Sequence, residues 1–374
     1  MSHAAAAPLV VLAAGGTAGH LFPAEALATA LVRRGLVVDL ATDRRAARYS
    51  QKFPARSTHV LPSATVRGRN PFGLARTALM LGAGFVQSYA LMGRLRPAAV
   101  VGFGGYPTVP PLLAAAARGV ATLIHEQNAV MGRANRLLAP RVRAIATSFA
   151  GVLDGAPGLA AKVTRTGNPV RAAVLAAAGS PYAAPAPGGL VRLLIFGGSQ
   201  GAKIMSDIVP AAIGRLDYTL RTRLLLAQQT RAEDLERVRD AYARHEINAE
   251  VATFFPDLPA RIAAAHLVVS RSGAGTVAEL SAIGRPAILV PLPHALDQDQ
   301  FANAGVLDKA GAAMRLRQDE FTPERLSHAI AQLASAPHVL VAMAAAARVH
   351  GALDAAERLA DLVMKLMVRE GETA

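Results

Sequence analysis

Apolar residues fall along this chain in short unbroken runs, each followed by a glycine turn and then by a longer stretch with helical spacing. Residues 9–13 form the first run. It does not alternate with polar residues, which predicts a strand covered on both faces. Gly15-Gly16-Thr17-Ala18-Gly19-His20 follows as a turn. Ala24, Leu27, Ala28 and Leu31 then share one helical face, and Gly35 is placed to stop the helix. Further runs at 37–40, 99–103, 122–124 and 145–147 predict more buried strands, with an alanine-rich helix ending at Gly119. This is the opening of a doubly wound sheet.

The same device restarts in the second half. Residues 193–196 predict a strand, Gly197-Gly198-Ser199-Gln200-Gly201 a turn, and Ala202 the approach to a helix. A strand at 223–227, a charged helix at 233–245 and a strand near 311–316 extend the pattern. Residues 267–290 read strand, turn, helix, strand, with Val277, Leu280 and Ile283 on the helix face and Gly284 at its end. Residues 179–189 are rich in proline and glycine and predict a linker. The expected fold class is α/β, with two tandem Rossmann-like, doubly wound domains. The boundaries predicted are 1–171 and 190–339. A helical segment at 340–374, striped by Leu353, Ala356, Ala360, Val363 and Met367, is expected to complete the first domain.

Charge sharpens this picture. Residues 1–171 hold 20 Lys/Arg and 5 Asp/Glu, whereas the remainder holds 20 and 21. No acidic residue lies between Arg44 and His125. So basic a half predicts an anionic partner, either a membrane surface or a nucleic acid. Nucleic acid is disfavoured: aromatic residues make up 5%, tryptophan is missing and no binding module is recognisable. Arg67, Arg69, Phe72, Arg76, Leu79 and Phe85 mix cationic and apolar groups in one tract. They are candidate contacts to an anionic membrane, the other reading being a core helix with solvated arginines. There is no cysteine, hence no disulfide or thiolate metal site.

Candidate chemistry sits at the turns. A helix that begins just after a glycine turn presents free N–H groups and a positive dipole end to an anion. Both glycine turns, and the turn at 272–276, fit that reading; each fits a simple packing turn as well. Glu279 lies further along its helix, where a carboxylate can accept hydrogen bonds from sugar hydroxyls. His20 stands at a helix start, which favours the neutral imidazole that a general base requires. His125-Glu126-Gln127-Asn128 follow a buried strand and mark a site edge. Asp297 and Asp299 have a spacing used by metal-dependent sugar-nucleotide sites, yet they follow a proline-rich loop and do not end a strand.

Taken in order, GGTAGHLFPAEALA, VVGFGGYPTVPPLLAA, HEQNAVMGRANRLLA, TGNPVR, FGGSQGA, SRSGAGTVAEL and DQDQFANA span most of residues 9–311. Together they resemble the MurG family of bacterial N-acetylglucosaminyltransferases. The resemblance implies a GT-B fold, two Rossmann-like domains facing across a cleft. It implies UDP-GlcNAc as donor, the undecaprenyl-diphosphate-linked MurNAc-pentapeptide (lipid I) as acceptor, an inverted β-1,4 product and no cofactor. It also implies a peripheral location on the cytoplasmic face of the bacterial inner membrane. Carried over by motif, Thr17, Ala18, Gly19, Asn128, Arg171, Ser199, Phe255, Ala274, Gly275, Thr276, Glu279 and Gln300 would contact the donor. His20 would be the base for the acceptor hydroxyl, with Glu126 next in line. The chain departs from the family pattern at Ala18, often glycine, at Gly275, usually leucine, and in the DQDQ segment. Another enzyme of the same fold, such as a UDP-sugar 2-epimerase, is the rival expectation.

Overall fold

The computed structural model describes residues 7–16, 18–47, 53–64, 71–198, 201–293 and 298–371. The chain divides into two compact units, 1–171 with 353–374, and 172–352.

The first unit is built on a seven-stranded parallel sheet: β1 (Leu9–Ala13), β2 (Val37–Thr42), β3 (Ser57–Val60), β4 (Ala99–Gly102), β5 (Ala121–Glu126), β6 (Ala144–Thr147) and β7 (Val163–Arg165). Their order across the sheet is β3-β2-β1-β4-β5-β6-β7. β1 pairs with β2 and β4, with Val11 opposite Asp39 on one side and Val100 on the other. Alternate residues of β1 feed two separate cores. Val10 and Leu12 pack with helix Ala18–Arg33 and with Leu359, Ala360 and Val363 of helix Ala355–Gly371. Val11 and Ala13 pack on the other face, with Leu91, Met92 and Leu112. Burial of both faces explains why the strand reads as an unbroken apolar run.

The second unit repeats the plan with six parallel strands: β8 (Val191–Phe196), β9 (Leu224–Gln229), β10 (Ala249–Ala252), β11 (Leu267–Ser270), β12 (Ala287–Leu289) and β13 (Ala313–Arg315). Their order is β10-β9-β8-β11-β12-β13. Strand order reverses between β1 and β4 in the first sheet and between β8 and β11 in the second. The carboxyl ends at such a switch point are where doubly wound folds bind ligands.

The unit boundaries differ from the sequence-based ones at both crossings. Residues 172–189 belong to the second unit. The fully buried Arg285 guanidinium donates to the carbonyls of Ala263, Ile283, Ser180 and Pro181, and Tyr182 donates its hydroxyl proton to the His266 carbonyl. These bonds tie the proline-rich segment to helices of the second unit. At the other end, helix Pro337–Val349 is also part of that unit: Arg348 donates to the Ile283 and Ala178 carbonyls. Only helix Ala355–Gly371 returns, and Arg34 binds it through Glu357 and Asp361 at 2.7 and 2.6 Å. The predicted continuous helical tail is thus two helices that serve different units.

Candidate active site

In the first unit the turn after β1 is tight. A Cβ on Gly15 would come within 2.9 Å of Pro107, and Gly16 takes φ +84°. The Gly16 N–H donates to Asp43 Oδ1 at 3.0 Å, and Arg45 pairs with the other Asp43 oxygen at 2.8 Å. A carboxylate therefore already holds an N–H that the anion-site reading of this turn had left for a phosphate. That reading is corrected for Gly16. Thr17 lies outside the described residues, as does the Ala18 side chain; Gly19 is exposed.

His20 is the third residue of helix Ala18–Arg33, and Pro23 deprives the Gly19 carbonyl of its usual donor one turn on. The His20 ring lies over Gly104 and Gly105, whose φ values of +83° and +75° need glycine. A side chain on either would reach about 3.5 Å from ring atoms. Burial lowers the His20 pKa below its ordinary value, with a bond to the Phe103 carbonyl opposing the shift.

Glu126 ends β5 and is buried. One carboxylate oxygen accepts the backbone and side-chain N–H of Asn128 at 2.9 and 3.2 Å. The other accepts from Gly132 N and Asn135 Nδ2 at 3.0 and 2.8 Å. Burial raises its pKa, and these four donors offset part of the rise. Glu126 shapes the loop that presents Asn128, and its engaged oxygens make it a poor second choice as base. His125 Nε2 bonds the Gly167 carbonyl at 2.9 Å, and burial drives its pKa down to about 4. Arg171 stacks on the Phe22 ring at 3.9 Å, close enough to Glu25 to oppose the burial-driven rise in that carboxyl's pKa.

In the second unit, Gly198 and Gly201 take φ +85° and +69°, and a Cβ on Gly197 would collide with Ala202 N at 2.2 Å. Gly197 N donates to Gln229 Oε1 at 3.2 Å. Ser199 lies outside the described residues. Across the switch point, helix Ala274–Ile283 begins at Gly273, an N-cap with no side chain to block its first N–H groups. Gly275 and Thr276 are half-buried, and nothing lies within 4 Å of a Cβ built on Gly275. Glu279 is 9% exposed.

Gln300 braces this corner. Its carbonyl accepts from Ser272 Oγ at 2.8 Å, and its Oε1 accepts from Leu292 N at 3.0 Å. Among the described residues, its side-chain NH₂ is the group left to meet a ligand. Asp299 caps Gln300 N at 2.8 Å, and Asp297 is outside the described residues. Among the described residues no three metal-ligating side chains cluster.

At two positions read from sequence, a neighbouring residue is the more exposed one. The Phe255 ring is buried under Arg261, 4.2 Å from its guanidinium. Phe254 is 68% exposed in the loop at the carboxyl end of β10 and offers the open aromatic face. On helix Pro71–Leu95, Phe85 packs against the core and 6.0 Å from the Tyr89 ring. The outward line is instead Phe72, Leu79 and Val86, at 85, 74 and 67% exposure, with Arg76 also exposed. Arg67 and Arg69 lie outside the described residues. No single helix among the described residues is long and apolar enough to cross a membrane.

Two doubly wound parallel sheets, each with a glycine turn at its switch point, are the domain plan of the GT-B fold class. The glycosyltransferase family 28 N-terminal domain model matches residues 10–147 and its C-terminal domain model residues 192–359. The chain belongs to glycosyltransferase family 28. It is 65% identical over 360 residues to a Rhodopseudomonas palustris (strain HaA2) protein, covering 96% of this chain and 98% of the other. A Bradyrhizobium sp. (strain ORS 278) protein is 63% identical over 359 residues, with the same coverage. Both are named UDP-N-acetylglucosamine–N-acetylmuramyl-(pentapeptide) pyrophosphoryl-undecaprenol N-acetylglucosamine transferase. Among solved structures, Acinetobacter baumannii MurG matches with TM-score 0.78 and 30% identity, covering 96% of this chain and 99% of that one. A UDP-N-acetylglucosamine 2-epimerase matches at TM-score 0.66 and 13% identity, covering 98% and 97%, a likeness of fold alone.

Proposed function

We propose that this chain transfers N-acetylglucosamine from UDP-GlcNAc to the C4 hydroxyl of MurNAc in lipid I, giving lipid II with inversion. The observation that carries the reading is near-full-length identity of 65% to a transferase so named. His20 takes the acceptor proton as the hydroxyl attacks the anomeric carbon. The start of helix Ala274–Ile283, the turn at 197–201 and Arg171 stabilise the departing diphosphate. Incubation with UDP-GlcNAc and a lipid I analogue should release UDP in step with disaccharide. UDP released without acceptor, alongside a 2-epimerised sugar, would support the epimerase instead.

Diphosphate stabilisation by backbone N–H groups and arginine needs no metal. Turnover is therefore expected to survive EDTA. Loss with EDTA and recovery with Mg²⁺ would restore the Asp297/Asp299 reading.

Phe254 supports an aromatic contact to the uracil base. Stacking on a base contributes about 1–3 kcal/mol. Phe254→Ala should raise the donor KM roughly tenfold or more with kcat nearly kept. An unchanged KM in the folded variant would remove the contact.

Helix Pro71–Leu95 is proposed to rest on the anionic cytoplasmic face of the inner membrane through Phe72, Leu79 and Val86, with Arg76 on the same helix and Arg67 and Arg69 shortly before it in the sequence. Burying one such apolar side chain contributes about 1.5–3 kcal/mol, and each arginine near an anionic leaflet about 1 kcal/mol. Flotation with anionic vesicles should show binding that salt weakens. Leu79→Ser with Val86→Ser should cut it at least roughly tenfold. Binding equal on neutral and anionic vesicles, or none at low salt, would leave these residues as ordinary surface.

A further inference from the structure

Gln127 follows β5, and its side chain is buried. Its amide nitrogen donates to the Phe103 carbonyl at 2.9 Å and stands 3.2 Å from His20 Nδ1. The carbonyl decides which end of the amide occupies this corner, because the amide oxygen would be repelled there. One amide N–H is used by Phe103. The second is directed at the imidazole.

We propose that Gln127 is a positioning residue for His20: its amide donates to Nδ1, which places the proton of the neutral ring on Nε2 and opposes protonation. The ring lies between Gln127 and the bare backbone of Gly104 and Gly105. Protonation would set an Nδ1–H against an N–H donor, so the cation is disfavoured beyond what burial alone does. The Phe103 carbonyl makes the opposite demand, since it favours a proton on the ring. A base acting through Nε2 needs its own proton on Nδ1. Gln127 and Phe103 thus act on the ring proton in opposite senses, and their balance sets the fraction of rings ready to accept. The inference deepens the reading of His20 as the base and rests on it for its consequence in catalysis, though not for the geometry.

The other titratable groups on the surrounding elements are Glu126, His125, Tyr106 and Glu25. Glu126 is turned into the N–H groups of the 128–135 segment, and His125 bonds the Gly167 carbonyl. Tyr106 follows the glycine turn, and Glu25 lies on the His20 helix with Arg171 as its charged neighbour. The test leaves all four in place.

The test is histidine NMR on the full-length protein labelled with ¹³C and ¹⁵N, with the His20 signals identified by their loss in His20→Ala. Wild type should show the Nε2–H tautomer. Gln127→Glu supplies an acceptor to Nδ1, so it should convert the ring to Nδ1–H and raise its titration midpoint by roughly one unit or more. Gln127→Leu should raise it by less. The acid limb of kcat/KM should move with the midpoint in each case while the donor KM stays within about twofold, which a merely structural role would not produce. A wild-type ring protonated on Nδ1 overturns the proposal without any variant. So does a midpoint and acid limb that stay put in both variants. Near-normal turnover in His20→Ala would instead defeat the base reading and leave the tautomer result standing.

Discussion

His20→Ala is expected to lower kcat by roughly 10²–10⁴, the range for a missing general base, with the donor KM within a few-fold of wild type. The expectation comes from geometry. The ring stands at the start of helix Ala18–Arg33, lies on the Gly104–Gly105 backbone and has its Nδ1 side occupied by Gln127. Nε2 is the nitrogen left to face the acceptor, and it takes a proton in those rings whose own proton sits on Nδ1. Burial and the positive end of the helix both disfavour the imidazolium, so the ring is neutral at neutral pH. The sign of the pH dependence follows. A protonated ring accepts nothing, so kcat/KM falls as pH drops through a pKa lying below the ordinary 6.5 and is flat above it. An acid limb above that value, or a variant that turns over nearly normally, would place the base elsewhere. Glu126 is then disfavoured too, since both its oxygens already hold N–H donors.

The central strands were legible because they are buried on both faces and therefore written in apolar residues without a break. The edges were not. β3 (STHV) and β7 (VTR) are largely exposed and β10 (AEVA) is only partly covered, so nothing in their composition separates them from loop. The glycine turns were legible because positive φ at Gly16, Gly198 and Gly201 all but requires glycine. What fills those turns was not. Asp43 reaches Gly16 across 27 residues and Gln127 reaches His20 across 107, contacts made by strand order alone.

Two differences of a single residue have a common form. Phe254 and Phe255 are adjacent and chemically identical; the fold buries one and exposes the other. Phe85 and Val86 differ by one helical step. The step is fixed because a Cβ on Gly84 would lie 2.2 Å from the Pro62 carbonyl, which turns that side of the helix inward. Helix phase and loop parity depend on such long-range contacts, and a local pattern carries only their period.

Glu279→Ala is expected to weaken the donor complex by on the order of 10–100-fold, the equivalent of about 1.5–3 kcal/mol for a hydrogen bond to a charged group. Glu279 is buried on the second turn of helix Ala274–Ile283, the helix whose start is proposed to meet the diphosphate. A carboxylate one turn further on is too far along for the phosphates and suited to ribose hydroxyls. Its burial adds to the effect, because a bond screened from water counts for more than one on the surface. The kinetic parameter that moves identifies when the bond is made. A higher KM with kcat unchanged means that substrate and transition state are held equally; a lower kcat means that the contact tightens only during transfer. Glu279→Gln keeps the shape and one acceptor oxygen while removing the charge, and should recover part of the loss. The helix has apolar buried neighbours at Val277, Leu280 and Ile283, so thermal melting must accompany the kinetics to separate donor contact from packing. Donor kinetics unchanged in a folded Glu279→Ala protein would take this carboxylate out of the site and return the helix to an ordinary connection between β11 and β12.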